Sequence, residues 1–285
     1  MTSKRIRFVT DSTCDLPPEV LDQYGISVAP CYINYGGGSF ADDGVELVRE
    51  HYYEQLPDIH PHPTTSAMPP GVAEDAIRAV IDDAAHIIIV AVASKLSGVY
   101  NTFRLAANNV LKPEQYTLID SGNTSMGLGF QVLLGAEAAE AGGDVAQVVD
   151  TIQRVRDATR VFCALATMEY LRRSGRVGWA AAGIGALLQI KPLIEVYDGE
   201  VHSLARIRTF KRAVDELVGL AHERAPLDRL AILHANNPDG AAELADRLQD
   251  VTPPGLLFAS VTPTIGTHIG PGGLGFAYVS KSWRN

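Results

Sequence analysis

The sequence predicts an α/β fold of two domains, with a parallel sheet in the N-terminal domain and a mixed sheet in the C-terminal one. Three observations lead there. Strand, small polar loop and helix recur in that order three times in the first half. The run from His86 to Val92 is apolar after its first residue, as in a parallel strand buried on both faces. In the second half, Asp198-Gly199 separates two short strand-like runs, the signature of a hairpin.

Taken in order, Ile6, Phe8 and Val9 suit a buried first strand. It ends in Asp11-Ser12-Thr13, whose side chains compete for backbone hydrogen bonds and favour a turn. Asp15, ahead of Leu16-Pro17-Pro18, reads as the cap of a first helix. Ile26 to Ile33 reads as a strand, Gly36-Gly37-Gly38 as a turn and Val45 to Leu56 as a helix. The five prolines between Pro57 and Gly71 predict an irregular segment. Val72 to Ala84 is helical, and the His86–Val92 strand runs into the hydroxyl-rich turn Ala93 to Gly98. A helix follows from Val99 to Val110, then a strand from Tyr116 to Ile119 and a polar loop from Asp120 to Ser125. If the sheet is parallel, these polar loops gather at one edge, where open α/β sheets bind ligands.

Val161 to Ala166 opens the second half as a strand. Met168 to Leu188 is helical, broken at Ser174-Gly175 and Gly178. Pro192 to Tyr197 and Val201 to Ala205 form the hairpin, Phe210 to Ala221 and Asp239 to Leu248 are helices, and Leu230 to His234, Leu256 to Val261 and Phe276 to Val279 are strands. A boundary near Ala158 gives domains 1–158 and 159–285.

The 285 residues carry a net charge of −9, which argues against a general nucleic-acid binder. The three cysteines lack metal or redox spacing and suit a reducing compartment. Met1 to Arg5 leads straight into a strand, without the run of a signal peptide. Val177 to Ile190, the longest uncharged apolar run, falls short of the ~20 residues of a membrane helix. These features together predict a cytoplasmic protein.

Few motifs carry chemistry. There is no P-loop and no nucleophile elbow. Gly270, Gly272 and Gly275 match G-x-G-x-x-G, but the chain ends too soon afterwards for a dinucleotide-binding βαβ unit. His60 and His62 have no carboxylate or thiol at ligand spacing, so no metal is expected. Thr264 to Gly275 reads as a glycine-rich loop that presents His268 to an anion. Arg172, Arg173 and Arg176 cluster at a helix break, as a solvated helix end or as a docking patch for an anionic partner.

Six short segments in order resemble the DegV family of fatty-acid-binding proteins, carriers of bacterial fatty acid kinase. They are Phe8 to Pro17, Thr65-Ser66, Ser94 to Tyr100, Asp120-Ser121, Arg172 to Arg176 with Lys191-Pro192, and His268 with Gly270-Pro271-Gly272. The resemblance implies two α/β domains with a long-chain fatty acid buried between them. It implies a ligand-binding set of Thr65, Ser66, Ser94, Ser97, Gly98 and His268, and a partner-docking set of Arg172, Arg173 and Arg176. It further implies no cofactor and no catalysis by this chain; the partners would be an ATP-dependent fatty acid kinase subunit, which makes an acyl phosphate, and transiently a membrane surface. In this chain Ala67-Met68-Pro69 replaces the family's usual Gln-Pro-Ser, which bears on the pocket mouth. A rival reading is a self-sufficient hydrolase or acyltransferase pairing Ser97 or Ser121 with His268. The opening Asp11-Ser12-Thr13 reads best as a brace for the ligand loops.

Overall fold

The computed structural model describes residues 5–178 and 190–284. Its first sheet is wholly parallel, in the order Ser27–Ala29 (β2), Arg5–Asp11 (β1), Ala84–Ala91 (β6), Tyr116–Asp120 (β7). A three-stranded antiparallel sheet joins Gly38–Ala41 (β4), Tyr32–Tyr35 (β3) and Thr64–Ser66 (β5). The third sheet is mixed, in the order Glu200–Ile207 (β10), Lys191–Tyr197 (β9), Thr159–Ala164 (β8), Leu274–Ser280 (β13), Leu227–His234 (β11), Leu257–Ser260 (β12). Its only parallel pair among the described strands is β11 with β12. The α/β class, the parallel N-terminal sheet and the mixed C-terminal sheet are therefore as the sequence predicts.

Helices Pro18–Tyr24 (α1), Arg49–Gln55 (α2), Pro70–Ile81 (α3) and Val99–Val110 (α4) interleave with the first strands. Met126–Glu140 (α5), Val145–Ala158 (α6) and Glu169–Ser174 (α7) follow, then Phe210–Arg224 (α8), Pro238–Arg247 (α9) and Pro263–Ile269 (α10). Helices α3 and α4 pack on the parallel sheet, and α8 and α9 on the mixed one. Between the sheets lies α5, in contact with β1 and β6 on one side and β8, β11 and β13 on the other. Strand alternation builds two cores from the mixed sheet: Ala231, Leu233, Ala277 and Val279 face α5 and the parallel sheet, whereas Leu230, Ile232, Phe276 and Tyr278 pack under α8 and α9.

Several local expectations change. Ile26 to Ile33 is two strands in two sheets, because Pro30 cannot donate to a ladder at the point of transfer. The proline-rich segment holds a strand after all: β5 fits between Pro63 and Pro69 and pairs with β3. The 45–56 helix shortens to α2. Asp15 does not cap α1; it sits in the left-handed region at φ 53°, and α1 starts from Pro17. The expected glycine loop around His268 is in part helix α10, with Pro263 at its first position and Gly270 ending it. The Asp198-Gly199 hairpin forms as expected, both residues at positive φ. The 168–188 helix stops at Gly175 (φ 68°), and residues 179–188 of that expectation lie outside the described residues.

Helix α5 has no amphipathic stripe for periodicity to detect. Met126 to Ala136 are all buried, so every face meets protein. Its glycines allow the close approach. A Cβ on Gly129 would stand 2.5 Å from the carbonyl oxygen of Cys14, a backbone atom that cannot swing aside. Gly129→Ala should therefore destabilise the protein by about 1–3 kcal/mol, because the overpacking strain outweighs the roughly 1 kcal/mol gained in helix propensity. Urea unfolding measures the sign; a more stable variant would contradict this packing.

Candidate functional site: an apolar cavity with a polar, cationic rim

The loops after β1, β6 and β7 do gather at one sheet edge, fastened by buried hydrogen bonds. Asp11 accepts from Val92 N–H at 2.8 Å and from Thr13 N–H at 3.1 Å, and Ser12 Oγ accepts from Cys31 N–H at 3.0 Å. Ala93 N–H donates to Asn123 O at 2.9 Å. The opening motif is thus the brace that the sequence suggests, and Thr13 also reaches the ligand space.

That space is a cavity of about 300 Å³ between the sheets. Val161, Ile194, Val196 and Leu233 of the mixed sheet supply one apolar wall, and Val92 and Leu96 part of another. Thr65, Ser66, Ser97, Gly98 and His268 all line it. Ser94 does not: it is exposed, and its N–H points to the Asp120 carboxylate at 3.3 Å. Ala67 lines the cavity and Met68 is buried, so the variant triplet stands where it can alter the mouth.

Thr65 arrives on β5 and His268 on α10, and their side chains meet at 2.8 Å, Thr65 Oγ1 to His268 Nε2. His268 Nδ1 is buried without a partner among the described residues. Burial, then the charges of Arg176 and His62, push the imidazole down to about 3. The ring is therefore neutral near pH 7. Neutral imidazole suffices: with the proton on Nε2, the ring donates to Thr65 Oγ1 and frees the threonine hydroxyl to donate onward.

The positive charge comes from elsewhere. Of the three clustered arginines, Arg172 is exposed and Arg173 pairs with Glu169 on α7. Arg176 lines the cavity while keeping an exposed surface, and its Nη1 donates to Ser174 O at 3.1 Å. No carboxylate among the described residues pairs with it. Sequence reasoning grouped Arg176 with its neighbours because it could not see that Gly175 turns the chain back towards the cavity. It also missed Thr264, one helical turn before His268 on α10, which a helical reading of 263–269 would have found.

Among the described residues neither Ser97 nor Ser121 is hydrogen-bonded to His268; Ser97 Oγ accepts from Val99 N–H at 3.4 Å. Ser121 Oγ donates to Asn123 O at 3.0 Å, and His268 pairs with a threonine. Among the described residues no group of three His, Cys, Asp or Glu side chains could hold a metal ion, and no helix is long and apolar enough to cross a membrane.

A family model with the description "Uncharacterised protein, DegV family" matches residues 5–281. The chain belongs to the DegV family. A DegV domain-containing protein of Streptomyces coelicolor is 34% identical over 284 residues, spanning 98% of this chain and 100% of the relative. A fatty-acid-binding DegV family protein from Thermus thermophilus has the same fold, with TM-score 0.88 and 30% identity over 97% of this chain and 99% of that one. DegV of Bacillus subtilis, a fatty acid binding protein, aligns with TM-score 0.84 and 26% identity over 98% and 100% of the two chains.

The state of His268 has a measurable consequence in lipid-free protein. Its folded value lies below its unfolded one, so the unfolded chain takes up a proton that the folded chain refuses, and stability falls as pH drops below about 6.5. The slope reaches about 1.4 kcal/mol per pH unit. Between pH 7.5 and 5, His268→Gln should lose about 2 kcal/mol less than wild type in urea unfolding. Equal losses would mean that His268 is solvated and protonated.

Proposed function

We propose that this protein holds one long-chain fatty acid, its tail in the apolar cavity and its carboxylate at the Arg176, Thr65 and His268 rim. The observation that carries this is an arginine without a carboxylate partner among the described residues, beside a neutral threonine–histidine pair at an otherwise apolar cavity. The tail accounts for affinity: at ~0.8 kcal/mol per methylene, about fifteen would contribute roughly 12 kcal/mol as an upper bound, before ordering costs. The rim accounts for orientation, since a buried carboxylate without donors would cost several kcal/mol. Arg176 supplies charge, Thr65 a hydroxyl, and Ser97 and Gly98 lie at the head of α4, where helix N–H groups favour an anion. The fatty acid binding of the Thermus and Bacillus relatives supports the same reading.

We extend the proposal to a cytoplasmic carrier of two domains, 1–158 and 159–285, that catalyses nothing itself. A separate ATP-dependent kinase would take the presented carboxylate as nucleophile, join it to the γ-phosphoryl group of ATP and release ADP and an acyl phosphate. The exposed Arg172 and Arg173 flank the rim where such a partner must come.

Native mass spectrometry of the purified protein should find about one fatty acid per chain; empty protein that turns over esters would favour the hydrolase. Arg176→Gln should weaken fatty acid binding about tenfold relative to a fatty alcohol of equal length. Arg173→Glu should raise the apparent KM of the kinase for the carrier with lipid occupancy unchanged, and an unaltered KM removes the docking role.

A further inference from the structure

His268 rides on α10, a helix of only two turns. Alone it would not form, because nucleation is costly and seven residues repay little of it. What fixes it are side chains from elsewhere. Tyr53 OH donates to Val261 O at 3.0 Å, and Tyr52 OH pairs with Thr267 Oγ1 at 2.6 Å. At its head two buried carboxylates take its free N–H groups. Asp15 Oδ1 accepts from Thr262 N–H at 2.8 Å, and Asp42 Oδ2 accepts from Thr264 N–H at 3.0 Å. Asp15 Oδ2 also accepts from Ser125 Oγ–H at 2.5 Å, at the head of α5. Ser125 lines the cavity from a backbone at φ 53°, ψ −148°, a conformation that non-glycine residues adopt only when surrounding structure enforces it.

Neither aspartate touches the cavity. We propose that Asp15 and Asp42 are positioning residues for the ligand headgroup: by gripping the head of α10 they set where His268 stands against Thr65. This rests on the fatty-acid reading above and names residues that it does not use.

The charge state of these groups supports a role other than holding the fold. Around Asp15 stand Arg49 and Tyr53 from α2, Asp42 from the loop after β4, Ser125 just before α5, and Cys14 and Asp11 from its own segment. Burial pushes Asp15 up to about 7 and Asp42 upward, against the lowering pull of Arg49. A carboxyl raised on folding makes the protein less stable as pH rises from its unfolded value towards its folded one. These carboxylates thus cost stability at neutral pH as charges, while their oxygens remain necessary as acceptors.

The experiment measures Kd for a fatty acid and for the alcohol of equal chain length, with thermal melting, at pH 8. Asp15→Ala and Asp42→Ala should reduce the preference for acid over alcohol about tenfold, with the alcohol Kd unchanged. Asp15→Asn and Asp42→Asn keep an acceptor oxygen; they should retain the preference and melt no lower than wild type. If an alanine variant does not fold, Thr262→Pro reads the same bond from the donor side. Its φ of −63° suits proline, the N–H is lost, and the preference should fall as for Asp15→Ala. Alanine and proline variants that keep the preference, or that lose acid and alcohol binding equally, overturn the positioning role and leave the fatty-acid reading intact. Wild-type protein that does not prefer the acid overturns that reading, and this inference with it.

Discussion

The layers of this structure depend on one helix whose first three turns have no solvent face. Helix α5 is held between the parallel sheet and the mixed sheet, and the first core is continuous across it. A helix wedged between two twisted sheets keeps them apart at its own diameter, about 10 Å, wherever it runs. Beyond its N-terminus, at Ser125 and Thr124, that filler stops, and there the sheets line a cavity instead of a core. Close packing and ligand space are two ends of the same layer. Gly129 against Cys14 brings the first loop onto α5, and Asp15 on that loop then reaches both Ser125 and Thr262.

The elements that could be read from sequence were those whose signal is local. The apolar β6, the Asp198-Gly199 hairpin and the helices α4, α8 and α9 each carry their pattern in their own residues. Helix α5 was silent for the reason that makes it central: burial on all sides erases periodicity. Strand β5 and helix α10 were misread because each is too short to hold itself. Three residues between prolines become a strand only because β3 is there to pair with. Seven residues with a central glycine become a helix only because Tyr52, Tyr53, Asp15 and Asp42 hold them. The partners of α10 lie 208 to 247 residues away in sequence, beyond any local window.

The same distinction separates the ligand residues. Thr65, Ser97 and His268 were legible through their motifs, and the cavity brings them to one lining. Arg176 was visible as a charge but not as a direction, because the left-handed Gly175 decides which way the chain leaves α7. His268 was legible in place but not in state. A histidine in a loop would be solvated and titrate near 6.5, whereas one on α10 against the apolar cavity, with Arg176 and His62 near, stays neutral.

That neutrality has its own logic. Had His268 carried the positive charge, it would have been buried in an apolar cavity whenever the ligand was absent, at a cost of several kcal/mol that the fold would have to bear. Arg176 avoids this, because its exposed surface keeps the guanidinium in contact with water while one side faces the cavity. Charge at the mouth and a neutral hydrogen-bonding pair beneath it can therefore coexist in an empty site. An entering carboxylate would meet the attraction first and the geometry second. The geometry then rests on how firmly β5 and α10 are held relative to one another, which returns the orientation of the headgroup to the buried bonds at Thr262 and Thr264 and to the opening strand loop that makes one of them.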